Sequence, residues 1–267
     1  MCIRDSCTAT LKYLERKNIM IPKIIHYCWF GGNPLPSSAK KCIESWKKFF
    51  PQYEIKEWNE SNFDVYCCDY VKEAYAAKKW AFVSDYARFW ILYHEGGLYF
   101  DTDVEVIQDM SAIVERGAFM GCEGSNVRNP GLDLVVAPGL GLAAAPGLDL
   151  YKELLDHYEH IHFSINGDMA ETVVDHTTKL LKHHGWEGNG KIEKIADVYI
   201  YPPEYFCPMN YTTGKLNITE NTYSIHWYTA SWQSPYGRFK TKLQHILGPK
   251  ATGKIKKIKK VIFSKIK

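Results

Sequence analysis

The stretch 80–106, WAFVSDYARFWILYHEGGLYFDTDVEV, constrains the fold most. Trp80 to His94 contains no Gly or Pro, and Phe82, Tyr86, Phe89, Trp90 and Tyr93 recur at helical spacing. Gly96 and Gly97 then supply a helix stop and a tight reversal. Leu98-Tyr99-Phe100 is a short apolar strand that runs directly into Asp101-Thr102-Asp103. Strand alternation puts Asp101 and Asp103 on the same side of the chain. Two carboxylates so placed repel unless a cation or a proton lies between them, and oxygen ligands suit Mg²⁺ or Mn²⁺. Asp85 and Arg88, three residues apart, share a helix face that the turn can fold back toward the carboxylates. A lone Asp-x-Asp is most often a solvated loop, and a lone Asp/Arg pair at this spacing a surface pair. An apolar strand ending in the triplet, where α/β sheets hold their ligands, is what favours a site.

Upstream, Ile21 to Gly32 (IPKIIHYCWFGG) reads as a buried strand whose C-terminal loop carries Trp29. A helix capped by Ser37 or Ser38 runs to Phe50 with Cys42, Ile43, Trp46, Phe49 and Phe50 inward. Tyr53 to Trp58 alternates as a strand, and Asn59 starts another helical stretch. The first hundred residues thus read β-α-β-α-α-β, the pattern of a parallel α/β sheet. Val104 to Ile107 continues as strand, and Ala118 to Cys122 is another. Residues 128–150, with Pro-Gly-Leu-Asp-Leu at 130–134 and 146–150, read as strand-turn-strand, and Asp133 there is a weak candidate for touching sugar. Asp149 caps a helix from Leu150 to Ile161, and a second helix from Ala170 to His184 stops at Gly185. A strand in 195–206 ends at Pro202-Pro203, and Tyr223 to Trp232 (YSIHWYTASW) follows with His226, Ser231 and Trp232.

At 267 residues and 46% hydrophobic content the chain holds one large domain with small additions. Its 18 Tyr and 8 Trp suit stacking on sugar rings, and equally suit an ordinary core. A net charge of +3, most of it near the C-terminus, excludes a nucleic-acid binder by composition. The eight Cys follow no metal or disulfide spacing and read as reduced, buried thiols of a cytosolic protein. No apolar run is long enough to span a membrane, and no signal peptide is evident. His157, His160, His162, His176, His183 and His184 lack acidic or Cys partners in pattern and read as surface or core residues.

The run Ser84-Asp85-x-x-Arg88, Tyr93, Gly96-Gly97, Tyr99 and Asp101-x-Asp103, with the opening strand ending at Trp29 and the late His226 with Ser231-Trp232, resembles the family 32 glycosyltransferases. These include relatives of yeast initiating mannosyltransferases and of bacterial capsular-polysaccharide enzymes, and the clostridial toxins carry a similar core. The resemblance covers most of residues 20–235 in three ordered blocks. It implies an α/β, GT-A type nucleotide-sugar-binding fold with a central, mostly parallel sheet flanked by helices. It implies a metal-dependent, retaining transfer from a nucleotide sugar, a UDP-sugar first and GDP-mannose second, to a glycan or lipid-linked acceptor in surface or capsular polysaccharide synthesis. Asp103 and His226 would hold Mn²⁺ (or Mg²⁺), with Asp101 bonding through water or to the ribose. Ser231 and Trp232 would bind the diphosphate, Arg88 the donor sugar or phosphate, Asp85 the sugar hydroxyls and Trp29 the base, with Tyr99 also on the donor side.

Two other readings stand beside this one. A non-catalytic sugar-nucleotide-binding relative would be expected to lose the metal ligands, which are present. A haloacid-dehalogenase-type phosphatase also opens with strand then Asp-x-Asp. It wants Thr or Val where Glu105 stands, and a late Gly-Asp-x-x-x-Asp where Gly167-Asp168 is followed by Thr172. Residues 1–19 match nothing in the family and read as a non-native or disordered extension before a start at Met20. A single domain is expected over 20–247. The tail 248–267 carries eight Lys and no acid, with Ile255, Ile258, Ile262 and Ile266 on one helical face. It reads as a basic amphipathic helix for an anionic membrane surface, making the enzyme cytoplasmic and peripheral at the inner face of the cell membrane.

Overall fold

A computed structural model describes residues 20–124, 134–164, 171–211 and 213–229. The extension 1–19, Asp133, Ser231, Trp232 and the tail lie outside the described residues, as do Gly167-Asp168 and most of the first Pro-Gly-Leu-Asp-Leu element.

The expected order of the first hundred residues is observed: β1 (Ile24–Cys28), α1 (Ser37–Phe49), β2 (Glu54–Trp58), α2 (Asp69–Ala76), α3 (Trp80–His94) and β3 (Gly97–Tyr99). Then come β4 (Val104–Val106), α4 (Ser111–Arg116), β5 (Phe119–Gly124), β6 (Leu134–Val136), a 3-10 turn at Pro138–Leu140 and β7 (Leu142–Ala144). The C-terminal part adds α5 (Asp149–Glu159), α6 (Val173–His183), β8 (Glu193–Ile195), β9 (Val198–Tyr201), α7 (Pro203–Phe206) and β10 (Ser224–His226).

Eight strands form one sheet in the order β2-β1-β3-β7-β5-β9-β8, with β6 also on β5. Strands β1, β2, β3, β5 and β9 share a direction, so five of the eight are parallel in sense while β6, β7 and β8 oppose them. This is the expected α/β arrangement, a central sheet mostly parallel in sense and flanked by helices, with a buried apolar cluster on each face of the sheet. Strand β1 is buried along almost its whole length because parallel neighbours flank it on both sides, at Ile24↔Glu54 and Ile25↔Leu98.

Helix α3 has the expected boundaries, but its buried face is wider than the aromatic stripe. Val83, Ala87, Ile91 and Leu92 are fully buried, whereas Phe82, Trp90 and Tyr93 are half-buried. The helix packs against α2, α5, α6 and the sheet at once, so little of it faces water. Asp85 and Arg88 are therefore buried, not a surface pair. The turn after α3 needs both its glycines. Gly97 has φ 98°, and a Cβ there would sit 2.7 Å from the Ile24 carbonyl oxygen.

Several local expectations are corrected. Neither Ser37 nor Ser38 caps α1. Pro36 takes the cap position at φ −67° with no side-chain bond, its ring already fixing the entry geometry. Asp149 lies inside α5 after Leu148, where its charge still faces the positive helix end. Asn59 does not start a helix: its side chain accepts from the Ser61 N–H at 2.9 Å, an Asx turn, and α2 begins only at Asp69. Helix α6 begins at Val173, because Thr172 and Asp175 form a capping box. The six described cysteines are all free, but Cys67 is exposed and Cys68 half-buried, unlike the buried Cys28, Cys42, Cys122 and Cys207.

Strand β4 is not a continuation of β3. A turn, with Val104 N–H donating to the Asp101 carbonyl at 3.0 Å, breaks the chain, and β4 pairs antiparallel with β10 in a separate ribbon. Its register sets His226 opposite Val104, next to the carboxylate pair.

Candidate active site

Asp101, Asp103 and His226 each present a ligand atom, and these atoms all lie within 4.8 Å of one another. The strand ending at Tyr99 brings in the carboxylates, and the β4–β10 ribbon brings in the imidazole. His226 Nε2 is 3.1 Å from Asp103 Oδ1. The other oxygen of Asp103 accepts from the Thr229 N–H at 2.8 Å and from the Thr229 hydroxyl at 3.1 Å. Burial alone would raise Asp103, but the facing imidazolium and the Thr229 donors hold it down at about 2. Burial alone would lower His226, and the Asp103 carboxylate outweighs it, raising the imidazole to about 9.

Behind this trio stands Arg88. Its Nη2 lies 3.1 Å from Asp85 Oδ1 and 3.4 Å from Asp101 Oδ1, and its Nε donates to the Ser84 carbonyl at 3.0 Å. The guanidinium also lies over the Tyr99 ring at 5.1 Å, and the Tyr99 hydroxyl donates to Asp101 Oδ1 at 3.1 Å. Burial pushes Asp85 up to about 7, against the pull of Arg88. Burial likewise raises Asp101. Three carboxylates thus share one guanidinium and one imidazole. The donor set of two carboxylates and one imidazole fits a divalent cation.

The trio opens into a cavity of about 570 Å³. Trp29, Arg88, Tyr99, Asp101, Asp103 and His226 line it, and Asp85 does not: it sits behind Arg88. The cavity lies where β1 and β3 end, the ligand side of a doubly wound sheet. A larger concavity of about 1550 Å³ lies at the opposite strand ends, around Lys23, Ala118 and Asp197, and gathers none of these residues. Trp29 is half-buried and donates through Nε1 to the Asn33 carbonyl at 2.6 Å, so the loop after β1 turns its indole along the cavity wall.

Sequence reasoning missed several contributors. Trp80 and Tyr228 line the cavity, and Thr229 holds Asp103. Gly139 is the least legible of them. A Cβ there would collide with Asp101 Oδ2, so the Pro-Gly-Leu turn lets its backbone pass against the carboxylate. The only signal was the Gly-rich wording of 138–141. The histidines of α5 and α6 stay outside the site. His157 and His176 hydrogen-bond each other at 2.9 Å, and among the described residues they join no metal-ligand group. Glu105, the position that spoke against a phosphatase, accepts from Trp227 Nε1 at 2.7 Å.

Residues 36–120 match a family model described as a glycosyltransferase sugar-binding region containing DXD motif. No curated protein matches the chain. Among solved structures the chain is similar to the PaToxG glycosyltransferase, at 17% identity over 66% of this chain and 75% of that one, with a TM-score of 0.48. It is similar to a glycosyltransferase involved in the glycosylation of the major capsid of PBCV-1, at 12% identity over 81% and 97%, with a TM-score of 0.46. It is also similar to the galactosyltransferase LgtC in complex with donor and acceptor sugar analogues, at 13% identity over 84% and 94%, with a TM-score of 0.43. Likenesses this distant say nothing of the chemistry here. The matched segment, which carries Asp85, Arg88, Asp101 and Asp103, is similar to the sugar-binding region of glycosyltransferases.

Proposed function

We propose that the protein is a metal-dependent, retaining glycosyltransferase. It moves a sugar from a nucleotide-sugar donor, a UDP-sugar first and GDP-mannose as the alternative, to a glycan or lipid-linked glycan in surface or capsular polysaccharide synthesis. The observation that carries this reading is the convergence of Asp101, Asp103 and His226 within 4.8 Å, beside Arg88 in one cavity.

Asp103 and His226 would hold Mn²⁺ or Mg²⁺, with Asp101 bonding it through water or turning to the ribose. The imidazole favours Mn²⁺. A metal bound there supplies Lewis-acid stabilisation of the departing diphosphate. Arg88 is locked by Asp85 and Asp101, so its positive charge needs no reorganisation when negative charge develops on the leaving group. Trp29 takes the base, and Tyr99 fixes Asp101 while packing beside the donor. Asp85 holds Arg88 and, on the resemblance, reaches the sugar hydroxyls. Ser231 and Trp232 are assigned to the diphosphate on the same ground.

The cavity carboxylates are engaged by Arg88, Tyr99, His226 and Thr229, and none stands as a covalent nucleophile. This favours a same-face substitution over double displacement. The acceptor hydroxyl attacks the anomeric carbon from the side on which the diphosphate leaves, and its proton passes to the departing phosphate oxygen. The free thiols suit a reducing compartment, and among the described residues no helix is long and apolar enough to cross a membrane. The enzyme is proposed as one domain over 20–247 working in the cytoplasm, with the basic tail resting on the anionic inner face of the membrane.

Thermal shift with a panel of UDP- and GDP-sugars, in Mn²⁺ and in EDTA, tests the donor assignment. One nucleotide series should stabilise the protein in Mn²⁺ only, and Asp103→Ala should abolish the effect. Absence of any nucleotide response in either condition would remove the donor site.

A further inference from the structure

Tyr228 sits between the two residues that grip Asp103. His226 faces one carboxylate oxygen at 3.1 Å, and Thr229 donates to the other at 2.8 Å and 3.1 Å. Both contacts form only if the chain reverses between them, and it does so at Tyr228, whose φ is +48°. A bulky non-glycine residue rarely adopts that conformation, and it persists only where its surroundings over-determine it.

The surroundings are specific. The Tyr228 hydroxyl donates to Glu123 Oε2 at 2.6 Å, and Cys207 Sγ lies 2.8 Å from the Tyr228 hydroxyl oxygen. Glu123, at the end of β5, is buried, so this carboxylate is spent on an internal contact and not on solvent. The Tyr228 ring meets the His226 ring edge-on at 4.2 Å between centroids, and Tyr211 covers it from the outside at 5.0 Å. Among the described residues His226 Nδ1 has no hydrogen-bond partner, so the imidazole is oriented by Asp103 on one side and by the Tyr228 ring on the other.

We propose that Tyr228, pinned through its hydroxyl by Glu123, is the positioning residue of the His226–Asp103 pair, and that this clasp sets the affinity of the site for a divalent cation. It touches neither reacting atom. It acts by fixing the reversal that delivers His226 and Thr229 to the same carboxylate, as outer partners fix the ligands of a metal. The inference rests on the metal-dependent reading above.

Mn²⁺ affinity, measured by electron paramagnetic resonance of free Mn²⁺ on the full chain, tests it. Tyr228→Phe keeps the ring on His226 and removes only the hydroxyl. It should fold, by circular dichroism, and bind Mn²⁺ roughly 10–100-fold more weakly. Glu123→Ala should show the same loss. Glu123→Gln keeps an acceptor for the hydroxyl and should largely restore affinity. Tyr228→Gly relieves the backbone but deletes the ring, so it should bind Mn²⁺ at least as poorly as Tyr228→Phe. A purely structural role would lower the melting temperatures and leave Mn²⁺ affinity unchanged, and that result overturns the clasp. If the wild type binds Mn²⁺ and Asp103→Asn does not, while Tyr228→Phe matches the wild type, the clasp alone falls. If the wild type and Asp103→Asn are alike in failing to bind, the metal reading falls and takes the clasp with it.

Discussion

His226 Nε2 stands 3.1 Å from Asp103 Oδ1, although the two residues lie far apart in the chain. The β4–β10 ribbon brings them together, by pairing His226 with Val104. Replacing His226 by Ala leaves that backbone pairing in place and removes one candidate ligand. Mn²⁺ affinity should fall about tenfold or more, with the circular dichroism spectrum unchanged. An affinity equal to the wild type would take His226 out of the ligand set.

Gly139→Ala is the sharpest test of the site's packing. The added methyl collides with Asp101 Oδ2, and its next nearest atom is Asp101 Cγ at 3.2 Å. The relief must come from the Asp101 side chain, which is then displaced from Tyr99 and Arg88. The melting temperature should shift by only a few degrees, while donor turnover is largely lost. Full activity in Gly139→Ala would show that Asp101 need not hold its observed position.

Arg88→Ala should be costly to the fold itself. It leaves Asp85 and Asp101 without their guanidinium inside the protein, a change worth about 3–5 kcal/mol. Urea denaturation should show that loss, and Asp85→Asn in the same background should recover part of it. If Arg88→Ala is as stable as the wild type, the buried pairing is not what holds this face of α3.

Acid sensitivity should trace to His26 and His176. His26 is fully buried between the Trp58 indole, which donates to Nδ1 at 3.0 Å, and the Gly96 carbonyl, which accepts from Nε2 at 3.0 Å. Burial lowers its pKa to about 4, and burial together with His157 lowers His176 likewise to about 4. Between pH 6.5 and 4 the unfolded chain binds protons that the folded one refuses. Stability is therefore complete above pH 6.5 and lost as pH falls toward 4, by on the order of 3 kcal/mol for His26. Melting temperature measured from pH 7.5 to 4.5 should fall through that window, with a shallower slope in His26→Gln. Identical slopes would assign the acid sensitivity to other groups.

Much of this site could be read from residues 80–106, and the reason is local. Helix, double glycine, strand and Asp-x-Asp are consecutive, so their mutual placement is settled by short-range geometry, and α3 has the boundaries its pattern implied. The burial of Asp85 and Arg88 was not legible, because it depends on α2, α5 and α6 closing around α3. His226 could be singled out only by its block resemblance, since nothing in its own neighbourhood encodes the β4–β10 pairing. Gly139 and Tyr228 are of a third kind. One matters for what it lacks, and the other for a hydroxyl contact with a residue far away in the chain. The missed helix caps at Ser37 and Asp149 show the same limit at small scale: the rule for capping residues was sound, but the preceding residue had already taken the cap.

The most direct measurement is donor hydrolysis, followed by release of free sugar from the nucleotide sugar that stabilises the protein, with Mn²⁺ and with EDTA, on the wild type and on Asp103→Asn. Hydrolysis that requires Mn²⁺ and is lost in Asp103→Asn, with the variant folded, is the expected result. Hydrolysis that continues in EDTA, or that survives in Asp103→Asn, would contradict a catalytic site built on Asp101, Asp103 and His226.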